Sequence, residues 1–127
     1  MQELKLYEYA VIRVVPKLER EEFINIGIIL FSKQYKFITV LHDIPSEKIK
    51  CFAEDFDIDQ LQKYMIAFEN TAHGTANGGP IAVMDIPSRF RWLTAIRSSA
   101  IQTSRPHPGM CNDLEKTVHR LFKELVL

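Results

Sequence analysis

The side chains with the clearest capacity for chemistry lie between positions 86 and 112. Four arginines occur here without an aspartate or glutamate, so the window carries a charge of +4: Arg89, Arg91, Arg97 and Arg105. Hydrogen-bonding and aromatic side chains are interleaved with them: Trp92, Ser98, Ser99, Gln102, Ser104 and His107. Guanidinium groups bind phosphate or carboxylate bidentately, hydroxyls add neutral donors, and an indole can stack on a base. This chemistry is typical of a site for an oxyanion or an acidic partner.

The same arginines have a second interpretation, in which they pair with carboxylates of their own chain. Acidic side chains are concentrated at residues 17–22 and 54–59. The residue pattern alone favours internal pairing over ligand binding, and both interpretations stay open at this stage.

A second polar concentration begins in the first strand and continues through the connection that follows it. It contains Arg13, Glu19, Arg20 and Asn25. Asn25 stands inside an apolar run and must find hydrogen-bond partners if it is buried. Glu21 and Glu22 are consecutive and therefore point apart, which favours a solvated turn over a general acid/base pair.

Known catalytic and metal-binding patterns are missing from the sequence. There is no nucleophile elbow, phosphate loop, HExxH motif or dinucleotide fingerprint. His107 and Cys111 are a lone pair of potential ligands and do not form a zinc pattern. We therefore predict no catalytic residues, no metal and no cofactor. The missing motifs favour a non-enzymatic protein over an enzyme. The two distant cysteines fit no disulfide framework, which favours a reducing cytoplasm.

Length and charge limit the classes of protein further. The 127 residues suit one globular domain spanning 1–127, with 46% hydrophobic and 25% charged residues. Sixteen basic and sixteen acidic side chains cancel, which makes nucleic acid an unlikely partner. The sequence shows no signal peptide and no apolar run of the ~20 residues that a membrane span needs. We expect a cytoplasmic protein with no membrane association, and the oligomeric state stays open.

Hydrophobic periodicity predicts the strands and helices that carry these side chains. Residues 6–15, 23–32 and 36–42 read as strands, and the last two form an antiparallel hairpin. Glu8 and Arg13 lie an odd number of positions apart, so they point to opposite faces unless a bulge intervenes. Asp57 caps one amphipathic helix, and Asn112 or Asp113 caps another. Residues 87–97 fit either a strand or a helix. The predicted fold is α+β: an antiparallel sheet of three to five strands with two or three helices packed on one face of it.

Two stretches of the chain resemble an uncharacterised bacterial family, the domain of unknown function numbered 3037. The first runs from Tyr7 to Pro16 and continues from Glu19 to Gly27. The second runs from Arg89 to Ala95 and continues through Arg97-Ser98-Ser99, residues 101–104 and His107-Pro108-Gly109. The family brings no established activity, and so no catalytic residues. Its members are small cytoplasmic proteins often encoded beside HipA-like kinases, which implies a partner or regulator of such a kinase.

The family motifs coincide with the two polar regions, so we expect the regions to meet in space as one composite site. One side would comprise Arg13, Glu19, Arg20 and Asn25. The other side, from the arginine-rich window, would comprise Arg89, Arg91, Arg97, Ser98, Ser99 and Gln102, with Trp92 and His107 as further candidates. The leading hypothesis is a non-enzymatic binding module with a HipA-like kinase as partner. The alternative is a small enzyme or sensor that holds a phosphorylated metabolite or nucleotide through its arginines.

Overall fold

The computed structural model describes residues 3–95 and 99–127 and contains five β-strands and four α-helices. The strands are β1 (Lys5–Val14), β2 (Ile24–Ser32), β3 (Phe37–His42), β4 (Ile101–Thr103) and β5 (His107–Cys111). The helices are α1 (Ser46–Phe52), α2 (Ile58–His73), α3 (Ile86–Leu93) and α4 (Leu114–Leu125). The predicted α+β class is confirmed, with a helix count slightly above the expected two or three. No helix in this described part of the chain is long and apolar enough to cross a membrane.

The five strands form one antiparallel sheet in which β1 is central. The strand order in the sheet is β3-β2-β1, and β4 and β5 both pair with the edge of β1 that lies away from β2. β4 pairs with residues 12–14 and β5 pairs with residues 5–9. The predicted hairpin of β2 and β3 is present, with Gly27 opposite His42 and Ser32 opposite Phe37. The long β1 strand therefore brings β4 and β5, which both come from the second half of the arginine-rich window, to one sheet edge.

A β-bulge in β2 decides which side chains share a face. Ile12 pairs with Gly27, whereas the next residue, Arg13, pairs with Asn25, so Ile26 is the extra residue. A bulge shifts the alternation of side chains by one position. Asn25 consequently points to the same face as Ile28, and Ile26 points to the opposite face with Ile29.

Helices cover both faces of the sheet, and the expectation that they pack on one face is wrong. The larger core lies between the sheet and helices α1, α2 and α3; we call this side the three-helix face. A smaller core lies between α4 and the opposite side, the α4 face. The reason is the composition of β2, where Ile28, Ile29 and Leu30 are consecutive and completely buried, so both sides of the strand need an apolar cover.

Local sequence signals set the helix boundaries. The side chain of Asp57 accepts a hydrogen bond from the backbone N–H of Gln60 and begins α2, which ends at Gly74 in the left-handed region (φ +69°). Asp85 caps α3 and Asp113 caps α4 in the same way. The segment 87–97, for which a strand or a helix was predicted, begins as the helix α3 because this cap and the buried Phe90 favour helical geometry.

Candidate functional site

Arg89 is engaged in holding two helices together. Its Nη1 donates to the carbonyl of Ala72 at 3.2 Å, at the end of α2, and its guanidinium packs against Gly74. The last carbonyls of a helix lack partners within that helix, and their negative dipole end attracts a cation. Arg89 therefore stabilises the junction of α2 and α3. Its Nε is buried and has no hydrogen-bond partner in the described part of the chain.

Arg91 forms a bidentate ion pair with Glu8. Its two terminal nitrogens donate to the two carboxylate oxygens, at 3.1 Å each. The guanidinium also lies 5.8 Å from the Phe31 ring centroid and 5.9 Å from that of Phe90. The pairing explains why a strand carries Glu8 on the three-helix face. The acidic partner comes from neither of the two clusters that the sequence indicated.

The rest of the arginine-rich window shows mainly local contacts. Trp92 is about half exposed on α3. The Ser99 hydroxyl donates to the carbonyl of Ile101, and Gln102 Nε2 donates to the carbonyl of Ser99, which closes the turn that leads into β4. His107 stacks on Tyr9, its cross-strand partner, with ring centroids 5.3 Å apart.

Two of the candidate residues, Arg97 and Ser98, lie outside the described residues.

Glu19 and Arg20 lie on an exposed 3-10 turn, Leu18–Arg20. Arg20 pairs with Glu22, and the hydrogen bond from this guanidinium lowers the pKa of the Glu22 carboxyl. Glu21 follows the turn in the left-handed region (φ +58°) and is also exposed. The three glutamates are therefore solvated and do not form a desolvated acid/base pair.

The structure does bring together three of the predicted residues from three strands. Arg13 lies opposite Asn25 on β2 and opposite Gln102 on β4, so the three form a cross-strand row on the α4 face. Asn25 Nδ2 donates to the carbonyl of Leu125 at 3.0 Å and ties the row to the end of α4. Asn25, the partly buried polar residue in the apolar run, thus has a hydrogen-bond partner.

The two halves of the expected composite site are separated by the sheet. Arg89 and Arg91 belong to α3 on the three-helix face, whereas Arg13 points to the α4 face. The separation follows from strand alternation, since Glu8 and Arg13 point to opposite sides of β1 as their spacing predicts. Arg13, Asn25 and Gln102 are brought together, and the arginines of α3 are not brought to them.

An apolar surface that the residue pattern did not predict lies at the N-terminal end of β1. Leu6 and Met110 are cross-strand partners and are 58% and 63% exposed. Pro108 lies next to them on the same face, opposite Glu8. We call Leu6, Pro108 and Met110 the β1–β5 patch. A cleft of about 620 Å³ adjoins it, with the buried ring of Phe31 among its lining residues.

The patch could not be identified from the sequence because β5 is short and contains proline and glycine. Nothing local indicates that it pairs with β1. Met110 becomes part of an apolar surface only because the pairing of β5 with β1 places it beside Leu6.

The described residues form neither a metal-binding cluster nor a disulfide bond. No group of three or more His, Cys, Asp or Glu side chains converges there in a way that would hold a metal ion. Cys51 and Cys111 are both free thiols.

One family model matches the chain, over residues 9–126, and its description is "Protein of unknown function (DUF3037)". The chain belongs to this family. The match extends from the middle of β1 to the end of α4, so it includes the Arg13 row, the arginines of α3 and Met110. No curated protein and no solved structure matches the chain. The family description states no activity, and roles for individual residues must come from the geometry.

Proposed function

We propose that the chain is a bacterial, cytoplasmic, non-enzymatic binding module, and that its partner is a HipA-like kinase. The observation that carries the proposal is the β1–β5 patch. Contiguous apolar side chains on the surface of a folded protein are typical of contact sites for other proteins. The neighbourhood of such kinases in this family supports the choice of partner.

The composition around the patch supports a protein partner over a small ligand. Methionine, aromatic residues and arginine are enriched at the centres of protein interfaces. Met110 lies in the patch, and Arg91 and the half-exposed Trp92 lie on α3, whose ion pair with Glu8 borders the cleft. The cleft beside the patch is open and mainly apolar and would accept one large side chain of the partner.

The arrangement also predicts how the interaction depends on charge. Lys33 lines the cleft, and Arg91 is more exposed than the Glu8 to which it is bound. An acidic rim on the kinase would complement these cations and would speed association. We expect association to slow as ionic strength rises, whereas the apolar contact at Met110 determines the dissociation rate.

Co-purification with the neighbouring HipA-like kinase, followed by titration calorimetry, tests the proposal. Met110→Glu should weaken the complex at least about tenfold, because it introduces a charge into an apolar contact. Ile66→Glu is the matched control, since Ile66 is an equally large residue on α2 and is 56% exposed. Its affinity should stay within about twofold of the wild type. The absence of a complex at micromolar concentration, or equal effects of the two variants, would overturn the proposal.

The alternative is a small enzyme or sensor for a phosphorylated metabolite or nucleotide. Its support is the +4 charge of the window, but Arg89 and Arg91 are already engaged with Ala72 and Glu8. A thermal-shift screen against nucleotides and sugar phosphates tests it. Saturating ligand at 100 times Kd should add about 2.7 kcal/mol to the free energy of unfolding. If no phosphate compound raises Tm, or if Arg91→Ala leaves the shift unchanged, this alternative fails.

A further inference from the structure

Arg13 differs from the arginines that have partners. Arg20, Arg91 and Arg120 are paired with carboxylates, and Arg89 donates to a carbonyl. The guanidinium of Arg13 instead lies over the ring of Phe23, 4.2 Å from its centroid. In the described part of the chain it forms no ion pair or hydrogen bond, and its Nε is buried without a partner.

This arrangement leaves a positive charge partly removed from water and without a direct ion-pair partner among the described residues. Burying a charge is costly unless it is paired, and an unsatisfied charged donor adds to that cost. A cation–π contact supplies part of the compensation. Stacking on Phe23 also fixes the plane of the guanidinium, so a bidentate partner would lose little rotamer entropy on binding.

A cavity of about 340 Å³ lies in front of this arginine. Its lining residues, which define the Arg13 pocket, are Arg13, Val15, Leu18, Glu21, Phe23 and Gln102. Three of them are apolar and form part of the walls, while polar atoms make up the larger share of the lining, and Leu18 and Phe23 are about half exposed at the rim. Small-molecule sites combine apolar walls with a few placed polar groups, and their volumes start at roughly 300 Å³.

We infer that the Arg13 pocket binds the carboxylate of a small organic acid, with Arg13 pairing with the carboxylate and the apolar walls holding a short aliphatic chain. The carboxylate suits the site better than phosphate because Glu21 lines the same cavity. The described lining holds one cation, Arg13, and one anion, Glu21, so a dianion would leave two uncompensated negative charges in the cavity and a monoanion only one. The Gln102 side chain is already held by its bond to Ser99, so the pocket wall is fixed before the ligand enters.

The inference is independent of the proposed kinase interaction. Arg13 and Gln102 point to the α4 face, whereas the β1–β5 patch lies on the three-helix face at the other end of β1. Loss of kinase binding in Met110→Glu leaves the pocket intact, and loss of acid binding in an Arg13 variant leaves the patch intact. The two proposals can therefore fail separately.

Nuclear magnetic resonance of the arginine Nε–H groups tests the pocket directly on the full chain. Sodium butyrate should shift the Arg13 signal along a saturable curve, with a Kd on the order of 1 mM for a ligand of this size. Butyramide, the neutral isostere, should give no saturable shift, and inorganic phosphate should bind more weakly than butyrate. A linear response to butyrate, or an equal response to butyramide, would overturn the inference.

Variants of Arg13 and Glu21, the two charged residues of the pocket, should change the affinity for butyrate in opposite directions. Arg13→Gln should abolish the saturable change in the backbone amide signals around the pocket. Glu21→Gln should strengthen butyrate binding about threefold, because it removes the like charge. Arg20→Gln is the control, since Arg20 lies on the neighbouring exposed turn and pairs with Glu22. If Arg13→Gln fails to fold, the wild-type titration and the Glu21→Gln variant still test whether butyrate binds in the Arg13 pocket. An unchanged affinity of Glu21→Gln for butyrate would argue against the site.

The source of the carboxylate is tested with N-acetylglutamate N-methylamide, which presents a glutamate side chain as a protein would. Tighter binding of butyrate supports a free organic acid as the ligand. Tighter binding of the blocked glutamate would overturn this assignment and would indicate an acidic side chain of another protein.

Discussion

The strength of the ion pair between Arg91 and Glu8 determines whether Arg91 stabilises the fold or is available to bind a ligand. Its two contacts are both 3.1 Å, the side chain of Arg91 is 59% exposed, and that of Glu8 is 29% exposed. Exposed pairs contribute about 0–1 kcal/mol. The bidentate geometry and the partial burial of Glu8 place this pair near the upper end, so we expect a coupling free energy of about 1 kcal/mol.

The burial of the two partners predicts an asymmetry between the single variants. Arg91→Gln leaves the half-buried carboxylate of Glu8 unpaired, whereas Glu8→Gln leaves a largely solvated guanidinium. Arg91→Gln should therefore be the more destabilising change, at about 1.5 kcal/mol against about 1 kcal/mol. The double variant should be less destabilised than the sum of the two.

Urea unfolding of the four proteins, followed by far-ultraviolet circular dichroism, measures the coupling. A signal from the backbone is preferable because the single tryptophan, Trp92, is the neighbour of Arg91. The coupling should fall in 1 M salt, where the screening length is about 3 Å. Additive single variants, with a coupling below about 0.3 kcal/mol, would contradict a stabilising role for the ion pair and would leave Arg91 available to bind an anion.

Three further predictions concern the fold and its pH dependence. Gly27→Ala should lower the free energy of unfolding by about 2 kcal/mol, because a Cβ there would lie 2.8 Å from the backbone oxygen of Leu41; urea titration would show a lower midpoint with an unchanged slope. Asp57→Ala should cost about 1 kcal/mol through loss of the α2 cap, and Asp57→Asn should recover most of it in a thermal melt. Hydrogen bonds from the side chain and backbone of Ser88 lower the pKa of Asp85, so its stabilising contribution is present above the ordinary carboxyl pKa and is lost as the pH falls through the lower folded-state value. Melting curves of wild type and Asp85→Asn should therefore converge below about pH 4, and a constant difference in Tm would contradict this.

Much of the fold could be predicted because its signals are local. The apolar run at residues 23–32 predicts a strand, and Ile28 and Ile29 of β2 are completely buried. Asp57 predicts the start of α2, since capping depends on a few neighbouring residues. The odd spacing of Glu8 and Arg13 predicts that they point to opposite sides of the sheet, which follows from strand alternation alone.

Other features depended on contacts between residues far apart in the sequence. A helix of eight residues at Ile86–Leu93 was ambiguous because its short length permits both periodicities, and packing of Phe90 on Phe31, with ring centroids 4.2 Å apart, favours the helix. The apolar stripe of α4 predicts that the helix packs on something, but not on which face of the sheet it does so.

The amino-acid sequence specifies which residues carry charge, where β1, β2, β3, α2 and α4 form, and that the chain belongs to its family. How those charges are used depends on contacts between residues far apart in the sequence. The tertiary structure pairs Arg91 with Glu8, 83 positions away, and leaves Arg13 over Phe23 beside Gln102. The physical reason is that strand register and the bulge at Ile26 set which side chains share a face, and register is fixed by the packing of the whole sheet.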